Sequence, residues 1–262
     1  MRSPRGPARS GHGQVTPRYG DLVASGVIPD ADRTERAPVV SAGRPPWWLM
    51  VAALLVGALV TADLFTRGWL ERMDLRVSEI VSDWDLQKSA AYPVVWAVTQ
   101  VGGRVSILVV LAGLVSYLAW RRRTWLPLLR VIVAVALLTL TVYAIKDGTG
   151  RTAPGFPGSF FFHADGASFP SGHVANAVLM WGVARWQAVE YGLPARVQRA
   201  FWLLAVAGPI ATGVAMVSLD FHWVTDAVVG AAVGIVLLGV VHALDALVLS
   251  RLVRARAGRP SA

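Results

Sequence analysis

Apolar residues fall into six long runs along this chain, at Trp47–Phe65, 94–120, 125–145, 171–189, 201–219 and 225–249, separated by short polar connections. A helix needs about 20 apolar residues to cross the roughly 30 Å hydrocarbon core of a bilayer. Each run therefore predicts one membrane-spanning helix, and the fold expected is all-α, a polytopic bundle of six transmembrane helices. The second run is interrupted by Gly102, Gly103 and Arg104, which predicts a late start or a break near one end. Between the first two runs, Leu70, Met73, Leu75, Val77, Ile80, Val81 and Leu86 alternate with acids and bases. That pattern predicts an amphipathic segment lying along the membrane surface.

Residues 1–45 show no apolar periodicity and are rich in Arg, Pro, Gly and Ser. Such a segment buries too little surface to offset the entropy of ordering, so a disordered basic tail is expected. The first apolar run begins only after Pro46, which suits a signal anchor better than a cleaved leader. The expected division is a tail at 1–45, a membrane domain at 46–250 and a basic C-terminal tail at 251–262.

Composition agrees with a membrane protein: of 262 residues, 55% are hydrophobic and only 16% charged, too apolar for the outside of a soluble domain. The net charge of +9 raises the question of a nucleic-acid partner. The basic residues sit instead in the tails and short connections, at Arg121, Arg122, Arg123, Arg196, Arg199, Arg251, Arg254, Arg256 and Arg259. That is a topology-setting distribution, so no nucleic-acid partner is expected and both termini are placed in the cytoplasm of a multi-pass cell-membrane protein. Trp47, Trp48, Trp120 and Trp125 are assigned to one interface and Trp69, Trp84 and Trp223 to the other. Cysteine is absent, which excludes thiol nucleophiles, thiolate metal sites and disulfides. Nothing in the pattern fixes an oligomeric state.

With six spans and both ends inside, the end of span three, the start of four, the end of five and the start of six share the outer face. Lys146, Asp147 and Arg151 follow span three; Pro170, Ser171, Gly172 and His173 open span four; Asp220, His222 and Asp226 lie between five and six. Lys146 and Arg151 make a candidate anion site, an Arg fork being suited to hold phosphate bidentately. A helix starting at Ser171 and Gly172 would offer backbone N–H groups to phosphate oxygens beside His173. His222 and Asp226 are spaced to meet on one helix face, and a carboxylate there would fix the imidazole tautomer and leave the other ring nitrogen nucleophilic. His163 reads as a loop residue, and His242 and Asp245 as polar contacts between helices.

These residues resemble the type-two phosphatidic acid phosphatase superfamily, which also includes vanadium haloperoxidases. The resemblance rests on Lys146 and Pro154 of a first motif, Pro170-Ser171-Gly172-His173 of a second, and His222 and Asp226 of a third. Two family arginines are absent: Ala153 stands directly before Pro154, and Met216 stands six residues before His222. Arg151 is the expected replacement for the first, and no substitute is evident near Met216. The resemblance implies a membrane lipid phosphatase acting on phosphatidate, phosphatidylglycerophosphate or a polyprenyl pyrophosphate. In it His222 is nucleophile, Asp226 orienter and His173 acid and base, with Lys146, Arg151, Ser171 and Gly172 on the phosphate. It implies neither metal nor organic cofactor, a lipid phosphate and bilayer lipids as the partners, and an extracytoplasmic active site. The alternative class is a non-catalytic lipid-phosphate binder or transporter on the same fold.

Overall fold

The computed structural model of the protein describes residues 45–156 and 158–251, which belong to one compact unit. Apart from Pro45 and Arg251, the two expected tails lie outside the described residues. Eight α-helices occur among the described residues, and no strand. They are α1 (Trp47–Phe65), α2 (Trp69–Ser82), α3 (Tyr92–Thr99), α4 (Arg104–Arg122), α5 (Leu126–Thr149), α6 (Gly172–Glu190), α7 (Ala195–Ser218) and α8 (Val224–Leu244). A short 3-10 turn at Leu86–Lys88 precedes α3, and a π-helical turn at Asp245–Leu249 prolongs α8.

Five helices are long and apolar enough to cross a membrane: α1, α4, α5, α7 and Val224–Leu249. Their outward faces carry large exposed apolar side chains such as Leu59, Val105, Val109, Leu140, Ile210 and Val214, the surface that lipid tails accept. The 19-residue α6 is not among the five. It touches α4, α5, α7 and α8 and buries Asn176 and Gln187 along with its small and apolar residues. A helix sheltered by protein does not need a lipid-compatible surface, which is why this one carries polar groups.

The second apolar run is two helices. α3 ends at Thr99, a turn follows through Gln100 and Gly102, and α4 starts at Arg104. Eight residues span about 12 Å, so α3 is too short to cross, and α4 carries the apolar length alone. The amphipathic segment becomes α2, which packs on α1, α7 and α8 and turns Glu71 and Asp74 inward as well as Val81. Trp223, assigned above to an interface, is instead 2% exposed, its indole N–H donating to the Thr152 carbonyl at 2.8 Å. The residue serves the interior because its neighbours on the connection fold over it.

Helices α6 and α8 approach closely because Gly230 and Gly234 present no side chain to α6. A Cβ at Gly230 would lie 2.5 Å from the Ser171 carbonyl oxygen, and one at Gly234 would lie 2.8 Å from that of Ala175. This small-residue stripe lets backbone meet backbone, as membrane helices allow, and it fixes the first turn of α6 against the first turns of α8.

At the other end of the same helices, Arg130 of α5 is 1% exposed. Its guanidinium forks onto Asp245 at 2.9 and 2.8 Å, donates to Glu190 at 2.8 Å and lies 4.2 Å from the Trp186 ring centroid. His242 packs against the same Trp186 ring, with ring centroids 3.7 Å apart. One cation thus ties together the start of α5 and the ends of α6 and α8, and Asp245 and His242 are indeed contacts between helices.

Breaking such a buried pair by removing one partner costs about 3–5 kcal/mol. Arg130→Ala is therefore expected to lower the thermal unfolding midpoint in detergent strongly, with Arg130→Met combined with Asp245→Leu and Glu190→Gln recovering much of the loss. An unchanged midpoint for Arg130→Ala would show that the cluster does not hold these helices together.

Candidate active site

A cavity of about 620 Å³ opens at the end of the bundle where α5 finishes and α6 and α8 begin. Its polar lining comes from five separate parts of the chain: Arg104 of α4, Lys146 of α5, Asp165 and Ser168 of the long α5–α6 connection, His173 and Asn176 of α6, and His222 of the α7–α8 connection. Tyr143 of α5, Ala153 and Phe156 of the α5–α6 connection and Gly172 of α6 also line it. Sequence-distant residues meet here because each sits at a helix end on the same side of the bundle.

On the cavity wall, His222 is held from behind. Its Nδ1 lies 3.2 Å from the Asp226 carboxylate, which requires Nδ1 to carry the proton and leaves Nε2 with a free lone pair. Asp226 is wholly buried and receives three further donors. They are the Trp223 backbone N–H at 3.1 Å, the Ser168 hydroxyl, and Nη1 of Arg151 at 2.7 Å. An acceptor of four donors is an ionised carboxylate, since the protonated acid would have to donate one of these contacts itself. The helix geometry contributes too, because Asp226 is the third residue of α8 and folds back on the N-cap N–H of Trp223 in a capping box, as carboxylates at helix starts do.

Arg151 departs from its expected place. It is 0% exposed and sits behind Asp226, outside the cavity lining. Its guanidinium donates to Asp226, to Asp74 at 2.8 Å, to the Thr225 hydroxyl at 2.7 Å and to the Ser159 hydroxyl at 3.0 Å. It also lies between the rings of Trp223 and Phe161, 5.2 and 5.5 Å from their centroids. With its donors engaged and two carboxylates for partners, it does not fit the role of replacing the cation missing at Ala153. Its work is to hold the orienting carboxylate in place.

Ser171 also differs. Its backbone N–H donates to the Asp226 carbonyl at 2.9 Å, so it staples α6 to α8 and is not offered to a phosphate. Gly172 and His173 do face the cavity, and so does Lys146, whose ammonium additionally donates to the Ala167 carbonyl. Asp220 is turned away to accept the hydroxyls of Ser78 and Ser82 at 2.8 and 2.9 Å. His163 remains in the loop, accepting the Asp165 N–H at 3.1 Å. Among the described residues, no three His, Cys, Asp or Glu side chains are grouped to hold a metal ion.

Three residues of this site carry no signal in the sequence. Ser168 touches both Asp226 and, at 3.2 Å, Nδ1 of His222; it lies two residues before the Pro170 motif, and serines are common in loops. Asp74 belongs to an amphipathic helix where an acid reads as solvated. Asn176 lies three residues past His173 on a helix read as apolar.

Substitutions at two positions check this assembly. Arg151→Ala leaves two buried carboxylates facing each other without their cation, so a loss of about 3–5 kcal/mol in stability is expected; Arg151→Lys should fail to restore it, because an ammonium cannot serve the spread of acceptors that a guanidinium fork reaches. Unfolding midpoints equal to wild type would contradict the buried role. Ser168→Ala removes one hydrogen bond to a charged group, worth about 1.5–3 kcal/mol.

Comparison with known proteins points the same way. Residues 127–247 match the PAP2 superfamily, a stretch that contains Lys146, Arg151, His173, His222 and Asp226. Phosphatidylglycerophosphatase B of Bacillus subtilis (strain 168) is 31% identical over 141 residues, which is 53% of this chain. The match spans 66% of that relative, just under two thirds of its length. The crystal structure of a transmembrane PAP2 type phosphatidylglycerolphosphate phosphatase from Bacillus subtilis superposes with a TM-score of 0.59 at 21% identity, covering 78% of this chain and 96% of that one, and so shares the fold. With motif residues gathered around one cavity and an all-helical membrane fold, the chain is similar to the PAP2 superfamily over residues 127–247 and shares the fold of a transmembrane PAP2 type phosphatase.

Proposed function

We propose that the protein is a membrane lipid phosphate phosphatase that works through a covalent phosphohistidine at His222. The observation that carries this reading is the Asp226–His222 contact at 3.2 Å on the wall of a cavity that His173 and Lys146 also line. A buried carboxylate that fixes the tautomer of one imidazole, facing a second imidazole and a cation, is the arrangement that metal-free phosphoryl transfer asks for. The name of the Bacillus relative makes phosphatidylglycerophosphate the first substrate to test, with phosphatidate and polyprenyl pyrophosphate as the other lipids of the class.

In the first half-reaction Nε2 of His222 attacks phosphorus, the P–O bond to the lipid breaks, and the departing alkoxide takes a proton from His173. In the second, His173 accepts a proton from water as its oxygen attacks phosphorus, the P–N bond breaks, and inorganic phosphate leaves. Lys146 and the backbone N–H groups at the start of α6 stabilise the equatorial oxygens, where charge collects in the transition state. Arg151 and Ser168 act through Asp226, holding it against His222.

We place the site on the extracytoplasmic side, with six spans and both termini in the cytoplasm, because the Arg-rich connections Arg121–Arg123 and Arg196–Arg199 leave the bundle at the end opposite the cavity. The sixth span in this scheme is α6.

A second reading, that of a lipid-phosphate binder without turnover, draws on Ala153 and Met216 in place of two arginines. The decisive assay is release of inorganic phosphate from phosphatidylglycerophosphate, phosphatidate and a polyprenyl pyrophosphate by purified protein. Release from at least one lipid, abolished in His173→Ala and His222→Ala, is expected; none from any of them would favour the binder.

Rate should follow a bell-shaped pH profile, because His222 must be neutral to attack and His173 protonated to assist the leaving group. Quenching in alkaline detergent, where the P–N bond survives, should trap phosphorylated wild type and no phosphorylated His222→Ala; equal labelling of both proteins would remove His222 from the nucleophile role.

A further inference from the structure

Among the residues that line the active-site cavity only two are cations, Lys146 and Arg104. Arg104 lies outside the residues that match the family and outside each of the three sequence motifs. Its placement is nevertheless well determined. The turn that precedes α4 is tied to α6 by the Asn176 side-chain amide, which donates to the Gly102 carbonyl at 2.9 Å, and by the Trp181 indole, which donates to the Val101 carbonyl at 2.9 Å. Gly102 lies so close to α6 that a Cβ there would be 2.6 Å from the His173 carbonyl oxygen and 2.5 Å from the Thr212 methyl. α4 therefore begins against the residue that carries the acid-base imidazole, and Arg104 is its first residue.

Electrostatically, this is an unfavourable place for a cation. The start of a helix is its positive end and favours anions, yet the first turn of α4 carries no acid, and among the described residues Arg104 has no ion pair. Two cavity residues bear on the balance of charge. Asp165 is the one carboxylate in the lining, and it lies 3.8 Å from His163 Nδ1; Ala153 lies on the same lining where an arginine would supply positive charge. Met216, the other position without its arginine, is 4% exposed and outside the lining, so nothing there reaches a ligand. A phosphomonoester near neutral pH carries close to two negative charges, and Lys146 alone balances one.

We propose that Arg104 is the second cation of the phosphate site, its guanidinium contacting the oxygens of the phosphoryl group that is transferred to His222. The inference rests on the phosphatase reading for its location and supplies the charge that Ala153 and Met216 withhold. The cation comes from a different helix, and it approaches from the α4 side of the cavity, across from Lys146 of α5. The arrangement explains how a site without either family arginine still meets a dianion with two positive charges.

The test uses the full chain in detergent micelles and two readouts, calorimetric titration with inorganic phosphate and steady-state hydrolysis of phosphatidate and of a polyprenyl pyrophosphate. Arg104→Ala is expected to weaken phosphate binding and to lower kcat/KM on both lipids by about 10- to 100-fold, the range for loss of one charge-assisted contact. Arg104→Lys should fall between, and the unfolding midpoint should stay at the wild-type value because Arg104 has no ion pair to lose. Adding Ala153→Arg to Arg104→Ala should restore part of the loss, since both positions face the same cavity. Phosphate binding and kcat/KM unchanged in Arg104→Ala would overturn the proposal, as would a defect confined to the pyrophosphate substrate, which would put Arg104 on a second phosphate instead. Phosphate binding that depends on Arg104 in a wild-type protein without turnover would sink the phosphatase reading and leave Arg104 as a phosphate-binding cation alone.

Discussion

Everything at the active end of this protein hangs on one guanidinium that a substrate never meets. Arg151 sits in the interior with Asp74 on one side and Asp226 on the other, and those two carboxylates come from opposite ends of the described chain. A buried cation between two acids is tolerable only when its donors are satisfied, and here the remaining ones go to Thr225 and Ser159. The same contacts that satisfy the arginine bring α2, the start of α8 and the α5–α6 connection together. Because Asp226 also holds His222, the electrostatic requirement of a buried charge also sets the position of that imidazole.

The packing follows a division of labour between helices. α1, α4, α5 and α7 face outward and are apolar because lipid tails give their side chains no hydrogen-bond partners. α6 is enclosed by its neighbours and is free to carry Asn176, Gln187 and, at its first turn, His173. The Gly230 and Gly234 stripe of α8 brings the two catalytic helix starts into backbone contact, where a side chain would have pushed them apart. The polar chemistry and the lipid-facing surface are thus kept on different elements.

How much of this could be read before any fold was known depends on whether a property is local. Apolar length is local, and it locates α1, α5, α7 and α8 closely. The grouping of His173, His222 and Asp226 is legible because each residue occurs in a spaced motif at or beside a helix start. Arg151 shows the limit: its position beside a motif suggests phosphate, but its true partners, Asp74 and Thr225, lie 77 and 74 residues away in sequence, and no spacing rule spans such a distance. Trp223 fails similarly, since an indole near an apolar run looks the same whether it meets headgroups or the Thr152 carbonyl. The break in the second run is visible at Gly102 and Gly103, whereas the close approach of Gly102 to the His173 carbonyl is a matter of tertiary contact.

One buried arginine lies in the first turns of α5 and the other just after its end, and both fasten α8, Arg130 through Asp245 and Arg151 through Asp226. Those acids are 19 residues apart, which at 1.5 Å per helical residue is about 28 Å, close to the thickness of a hydrocarbon core. α8 therefore works as a strut of fixed length clamped near both of its ends. A thinner or thicker bilayer cannot stretch or compress it and is met by tilting the whole bundle, so the depth of the reaction centre relative to the headgroups is governed by the membrane's thickness rather than by any flexibility in the protein.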